Sequence, residues 1–393
     1  MQKQKIIPAL KYTIIIFAIM VLYCAIQCFA MIDMGLYSLF LGDFSIGFCS
    51  RLLIGTILSL FKDSFTKEWM VTFLRIVTVA VFLSTAYYIS SSMQSSKETE
   101  KSTLAIFTAL FIACPFSITI YAGDIFGFID VFCYIVILIT LFFGNNKILI
   151  WTLPVFLAAG VFIHDSFITG YMAPCLGIIA YYAIKTHGKK IGASVNFIVS
   201  SVACAVTSVY SVFFANKTIK MTENEVLAYL AKKGNCSIED VEGYIESFLF
   251  FKDTRNVIEN SDYADDTWSL IAYMMKATSE SFRPSNLVYF ISIIPVIALV
   301  FFVWIKAIKN SHGFMEKVPY ILFMLTPVPQ IFSILMSTDF TRFLSTIVIT
   351  QLLYIFMCVK QGDKNVRMTM EFLNNNKHYF AIPCMSVLLV NLR

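Results

Sequence analysis

Charge is scarce in this sequence: Asp, Glu, Lys and Arg make up 14% of its 393 residues, against 58% hydrophobic residues and a mean hydropathy of +0.75. That balance excludes a water-soluble fold, whose surface needs roughly twice the charge. Motifs of soluble chemistry are missing as well. There is no G-x-x-x-x-G-K-[ST] phosphate loop, no H-E-x-x-H and no G-x-S-x-G, which removes ATP-driven and protease chemistry. Nine of the ten cysteines (Cys24, Cys28, Cys49, Cys114, Cys133, Cys175, Cys204, Cys358 and Cys384) lie in or beside apolar segments, without CxxC pairs or metal-type spacing, and only Cys236 sits in a polar stretch. Neither a disulfide framework nor a zinc site follows. Internal repeats, long linkers and low-complexity tracts are absent, and the basic start, residues 1–11, shows no small-residue cleavage site, so it leads into an uncleaved first span.

What the sequence does have is a succession of apolar runs, each near the roughly 20 residues that a bilayer core requires of a helix. They predict an all-α, polytopic transmembrane helical bundle of about eleven spans: residues 12–32, 69–90, 103–122, 126–144, 148–164, 166–184, 191–214, 287–307, 318–337, 343–360 and 378–393. The net charge of +5 is distributed as short Lys clusters between the runs, a topology signal rather than a nucleic-acid surface, so no nucleic-acid partner is expected. With Lys3 and Lys5 cytoplasmic, the loops holding Lys97 and Lys101, Lys147, Lys185 with Lys189 and Lys190, Lys306 with Lys309 and Lys317, and Lys360 with Lys364, Arg367 and Lys377 all fall on the same side. An odd number of spans then puts the C-terminus outside.

The opposite side receives residues 33–68 and 215–286, so the chain reads as one transmembrane domain, 1–393, with a first external loop and a large external loop subdomain. Segment 45–62 is apolar but carries Arg51 and Gly55. Counting it as a span would place the Lys-rich loops outside, so it is expected to be a surface or re-entrant helix. Thr222 and Glu225 stand at capping-box spacing before an apolar helical pattern, which predicts short external helices.

Charged groups at membrane depth cost several kcal/mol unless paired or watered, so their positions are informative. Asp33, Asp43 and Arg51 follow the first span; Asp124 and Asp130 bracket the entrance of the fourth; His164 and Asp165 cap the fifth; Asp339 and Arg342 join the ninth and tenth. All fall at the external face, where short connections force them toward the protein interior and a shared cavity. Asp130 lies deeper than Asp124 and calls for a cation such as Arg51, Arg75 or Arg342. Arg75, inside the second span, is placed to snorkel, to pair with an acid or to grip a lipid phosphate. His164 and Asp165, adjacent on a helix, would point in different directions and form no dyad by themselves; His164 could donate to a sugar or phosphate oxygen.

Carboxylates beside arginines suit one chemistry in particular, in which an Asp deprotonates a hydroxyl while a planar guanidinium binds phosphate or pyrophosphate in two-pronged fashion. Glycosyl transfer from a polyprenyl-phosphate donor needs both. The arrangement resembles the membrane enzymes of bacterial surface-glycan synthesis: the C-type (GT-C) glycosyltransferases and, more loosely, the O-antigen or capsule polymerases. The segments that carry the resemblance are GFCSRLLIGTIL around Arg51, HDSF at 164–167 and DFTRF at 339–343. The first family implies an essential acid after the first helix, here Asp33 or Asp43, followed by a surface helix, here 45–62. The polymerases imply glycan- or pyrophosphate-contacting arginines in a late external loop, here Arg255 and Arg283.

With that resemblance, Asp33, Asp43 and Asp124 become the candidate catalytic groups, and Arg51, His164, Asp165, Asp339 and Arg342 the substrate- and phosphate-binding ones. The implied partners are a polyprenyl-linked saccharide, membrane lipid and other polysaccharide-assembly membrane proteins, in a bacterial cytoplasmic membrane. A divalent metal is compatible with this chemistry, and no residue is assigned to one. The contrasting reading is a transporter or lipid-linked saccharide flippase, which calls for midplane polar groups, broken helices and an inverted repeat. Pro295, Pro327 and Pro329 look scattered in the sequence and show no such pattern.

Overall fold

The computed structural model describes residues 3–27, 39–123, 126–186, 191–241, 284–336 and 340–391, and every regular element among them is helical. In chain order the α-helices are α1 (Lys3–Gln27), α2 (Leu53–Ser59), α3 (Lys67–Ser95), α4 (Glu98–Ala113), α5 (Asp130–Phe143), α6 (Leu153–Ile163), α7 (Met172–Tyr181), α8 (Ile191–Phe213), α9 (Glu223–Gly234), α10 (Pro284–Asn310), α11 (Phe314–Leu325), α12 (Val328–Met336), α13 (Phe340–Lys360), α14 (Lys364–Asn375) and α15 (Ala381–Asn391). Six helical stretches among the described residues are long and apolar enough to cross a membrane: Lys67–Ser95, Glu98–Ala122, Phe167–Lys185, Ser194–Phe213, Phe290–Asn310 and Thr341–Lys360. Leu10–Cys24, Asp130–Phe143 and Leu149–Ile163 are apolar but shorter.

Helix boundaries follow local chemistry. Thr66 caps α3 by accepting from the Trp69 N–H at 3.3 Å, Asp363 caps α14 through the Asn365 and Val366 N–H groups, and the predicted Thr222/Glu225 box opens α9. Asn235, in the left-handed region at φ 50°, ends that helix.

The middle of the bundle is α13, with 94% of its apolar window buried, whereas α8 has 22% and is peripheral. A buried helix must satisfy its own hydroxyls. Thr346 and Thr350 do so by donating to the carbonyls of Arg342 and Thr346, at 2.9 and 2.7 Å.

The span predicted at 318–337 is two helices, α11 and α12, interrupted at Thr326–Pro327. The helix facing that break is itself irregular, since Phe167–Tyr171 and Tyr182–Thr186 are π-helical turns on either side of α7. Two ends of the bundle emerge from these directions. Arg342 starts α13 and lies 3.1 Å from His164, while Lys360 finishes it, about 30 Å away at 1.5 Å per residue. At that far end Gln361 donates to the Tyr182 hydroxyl and Lys185 approaches Asp363 at 3.8 Å.

Candidate functional site

The site begins where α6 stops. His164 takes extended dihedrals (φ −158°, ψ 138°), and the chain turns through Asp165 and Ser166 into the π-helical turn. This break overturns the expectation that His164 and Asp165 diverge: off the helix, their side chains meet, His164 Nδ1 to Asp165 Oδ1 at 2.9 Å. Gly160 permits the tight turn, because a Cβ there would lie 2.6 Å from the Phe167 ring.

Arg51 arrives from the loop before α2 and grips Asp165 with two prongs, Nε to Oδ1 at 3.0 Å and Nη2 to Oδ2 at 3.2 Å. Its backbone is left-handed at φ 72°, a conformation costing of the order of 1 kcal/mol in a non-glycine residue. Neighbouring contacts hold it there. Ser50 Oγ donates to the Val161 carbonyl at 2.8 Å, and Gly55 lets the loop fold on itself where a Cβ would lie 1.9 Å from the Gly42 oxygen.

Arg342 comes from the start of α13. Its Nη2 lies 2.7 Å from Asp130 Oδ2, a close ion pair, and its guanidinium covers the Phe128 ring with Cζ 5.2 Å from the centroid. Asp130 Oδ1 accepts from Ser166 Oγ and from the Tyr171 hydroxyl, both at 3.3 Å, and the Tyr171 hydroxyl is 3.2 Å from that of Tyr121. Asp130 is thus the carboxylate that finds the cation its depth demands, and Arg342 is that cation.

His164 joins the two ion pairs. Its Nδ1 accepts from the Ser166 backbone N–H at 2.8 Å and lies 2.9 Å from Asp165, and its Nε2 lies 3.1 Å from Arg342 Nη2. A neutral imidazole has one donor and one acceptor nitrogen. With the proton on Nδ1, that nitrogen can donate to Asp165 and Nε2 can accept from Arg342; with it on Nε2, Nδ1 accepts the Ser166 N–H that points at it. The ring therefore meets a donor at each nitrogen, the Ser166 N–H at Nδ1 and Arg342 at Nε2, and a neutral imidazole can accept from one of them.

Asp43 stands apart from this chain. Its Oδ2 accepts from the Tyr229 hydroxyl at 2.6 Å, from Ser59 Oγ at 3.0 Å and from Lys233, so it ties the first loop to α9. Burial would raise its carboxyl, but Lys233, Tyr229 and Ser45 outweigh it and hold the group below the usual carboxylate range. Tyr229 responds in the opposite sense: its hydroxyl, desolvated and donating to that carboxylate, is pushed up to about 12. The same surface is stitched by the Phe48 N–H donating to Thr218 Oγ1 at 2.7 Å and the Tyr210 hydroxyl donating to the Phe48 carbonyl at 3.1 Å.

Arg51, Asp130, His164, Asp165 and Arg342 are therefore brought together, and Asp43 is not one of them. Asp33, Asp124 and Asp339, with Arg255 and Arg283, lie outside the described residues. Arg75 is exposed on α3. Sequence reasoning missed Ser166, Tyr171 and Phe128, and it missed Lys233 entirely. Ser166 could have been found inside the HDSF segment, whereas nothing in the sequence ties Lys233 to Asp43 across 190 residues. Among the described residues, no group of three or more His, Cys, Asp and Glu side chains is arranged to hold a metal ion.

Fold and site together define the class, a helical-bundle protein with membrane-length apolar helices and a desolvated Arg/Asp/His cluster at one end. Comparison goes no further: no protein-family model, no curated protein and no solved structure matches the chain significantly.

Proposed function

We propose that the chain is a multi-pass enzyme of surface-glycan synthesis, transferring or polymerising glycosyl units from a polyprenyl-phosphate-linked donor at the external face of a bacterial cytoplasmic membrane. The observation that carries this reading is the meeting of two guanidinium groups, Arg51 and Arg342, on either side of His164 and Asp165, from three segments far apart in sequence. In the reaction, the bond from the anomeric carbon to the donor's phosphate oxygen breaks and the acceptor hydroxyl oxygen forms the glycosidic bond. The hydroxyl proton passes to a base at this end, for which the sequence offers Asp33, Asp43 and Asp124. The lipid phosphate leaves with the electron pair of the broken bond, held by the arginines.

The eleven-crossing topology belongs to the same proposal. In that topology α11 and α12 together make one crossing. The exposed Leu60 and Phe61 beside Lys62 suit a loop that lies along the interface. The test is replacement of Arg342, Arg51, Asp33, Asp43 or Asp124 by Ala. Normal surface-glycan length and composition in every variant inserted at wild-type level would end the enzymatic reading.

A transporter or flippase draws support from the break at Thr326–Pro327. Gln330, Gln351, Thr326 and Trp304 are buried around it: Gln330 Nε2 donates to the Gly170 carbonyl, Trp304 Nε1 to Gln351 Oε1 at 2.8 Å, and Gln351 Nε2 to the Phe323 carbonyl at 2.7 Å. Movement of a lipid-linked saccharide across vesicles containing the purified chain, lost on Gln330→Leu, would favour that reading.

A further inference from the structure

We propose that the corner formed by the end of α10, the end of α14 and the turn at Lys377–Phe380 binds the phosphate of an anionic phospholipid, with Lys306 as the group that meets it. The inference stands apart from the glycosyl-transfer reading, since it concerns the opposite end of the bundle and requires no reaction.

Three segments build the corner. Asn310, which ends α10, donates through Nδ2 to the Asn365 carbonyl at 3.3 Å, and this fixes α10 against α14 at the Lys360 end. With Val366, Met370 and Leu373 buried and Lys364 exposed, α14 turns one face to the bundle and the other outward, as a helix at a membrane interface does. Lys306 stands one turn before Asn310, near the end of the membrane-length stretch Phe290–Asn310. A lysine there reaches headgroup depth along its own stem.

Aromatic rings seat the ammonium. Lys306 Nζ lies 4.0 Å from the centroid of Phe372 and 5.9 Å from that of Phe302. Tyr379 stacks on Phe302 at 5.0 Å and lies 5.8 Å from Phe372, and the His378 ring is 4.6 Å from Tyr379. Cation–π attraction places the charge but leaves its three N–H donors unspent. Among the described residues, Lys306 has neither an ion-pair partner nor a hydrogen-bond acceptor, because Glu371, beside Phe372 in the chain, is turned to Lys97 at 2.9 Å. Lys377, exposed in the same turn as His378, adds a second charge.

A seated cation with unused donors, a second lysine and no opposing acid complement a phosphodiester. The neighbouring surface favours a lipid as its bearer: Ile382, Met385 and Leu389 are exposed along one face of α15, which packs on α10 and leads away from the corner. Acyl chains have an apolar surface to follow from the charged group, and Tyr379 marks the boundary between the two.

The test mixes the purified full chain in detergent with phosphatidylglycerol or phosphatidylcholine, counts lipid-bound chain by native mass spectrometry and reads the melting temperature in parallel. Phosphatidylglycerol should be retained in preference and should raise Tm. Lys306→Gln should weaken the preference about fivefold, the factor one lysine contributes at an anionic surface. Phe372→Leu, which removes the seat and keeps the charge, should weaken it by less. Lys147→Gln, at an exposed position elsewhere on this end, should leave it unchanged. Glycerol 3-phosphate, which offers the phosphate without chains, should not raise Tm at the same concentration.

Equal retention of the two lipids, or an undiminished preference in Lys306→Gln, overturns the proposal. So does a loss in Lys147→Gln as large as that in Lys306→Gln, which would make the attraction one of diffuse charge. Stabilisation by glycerol 3-phosphate equal to that by the lipid overturns the choice of a lipid. Should Lys306→Gln fail to accumulate, Lys377→Gln decides in the same assay. Surface glycan enters none of these readings, so either proposal can fail while the other stands.

Discussion

At one end of the bundle, Asp130 and Asp165 face Arg342, Arg51 and His164, side chains brought from other segments or from a break in a helix. At the other end, two acids serve the backbone: Asp363 caps α14, and Glu100 accepts from the Lys97 N–H at 2.8 Å. The remaining partners there are fixed by the fold as well. Tyr320 donates to Asp363 at 2.6 Å, and Arg367 donates to the carbonyls of Ser95 and Val359. A carboxylate that satisfies helix N–H groups cannot be released without unravelling a turn. One held by side chains alone can be exchanged for another anion without unravelling a helix, which is the property a phosphate-binding site needs.

The largest effect should come from breaking the Arg342 end with one substitution. Arg342→Ala leaves Asp130 buried without its cation and is expected to cost about 3–5 kcal/mol, the range for uncompensated buried charge, together with loss of surface glycan. Pairing Arg342→Met with Asp130→Leu removes both charges and should restore most of the thermal stability in detergent without restoring glycan. Recovery of glycan in the double variant would make the pair structural and erase the contrast between the ends.

Arg51→Lys keeps the charge and loses the two-pronged grip on Asp165, so a smaller loss of stability is expected, about 1–2 kcal/mol. Glycan length should still shorten, because the two-pronged hold on Asp165 beside His164 is lost. Lys at this position with normal glycan would show that charge alone suffices there.

How much of this contrast was legible in the sequence depends on the kind of signal. Lys67–Ser95, Ile191–Phe213 and Phe340–Lys360 lie within a few residues of the runs that hydropathy marked, because each is a continuous apolar stretch. The capping box at Thr222 was legible for the same local reason. The amphipathic α14 was read as part of a loop, since Lys364 and Arg367, with Lys360 and Lys377 on either side, suited a cytoplasmic connection, while Val366, Met370 and Leu373, buried in the fold, were too few to stand out. Convergence of Arg51, His164, Asp165 and Arg342 was the expectation drawn from the proposed alternation of spans, and these side chains do meet. Who pairs with whom was not legible: His164 meeting Asp165 requires a helix break that apolar periodicity does not reveal, and Thr326–Pro327 splits a run that hydropathy joins.

Asp43 and Lys233 offer a milder perturbation of the Arg342 end. The folded-state carboxyl of Asp43 lies below its ordinary value of about 4, so the clamp's contribution is complete above that value and is lost as pH falls through the depressed one. Amide-exchange protection of α9 should hold between about pH 7 and pH 5 and decline below about pH 4, and Lys233→Met should flatten that dependence. A decline that begins near neutrality would assign the clamp to another group.

The Lys360 end gives the complementary case. Asp363→Asn keeps an oxygen that can cap α14 and weakens the approach of Lys185, so a stability change of about 1 kcal/mol or less is expected, with normal surface glycan. Shortened glycan in that variant at wild-type protein level would mean that the two ends communicate, through the buried groups around Thr326 and Gln351.

Arg75 sharpens the comparison most finely, because it lies two turns into α3 from Lys67, near the same end as the cluster, yet points outward. An exposed arginine on a membrane-length helix reaches the interface along its own stem. Arg75→Lys should change thermal stability by no more than about 0.5 kcal/mol, the usual size for a surface position, and should leave the glycan unchanged. If it shortened the glycan as Arg51→Lys is expected to, then depth and charge rather than convergence would define the site. The pairing of Arg51 with Asp165 and of Arg342 with Asp130 would then lose its claim to be what distinguishes this end of the molecule.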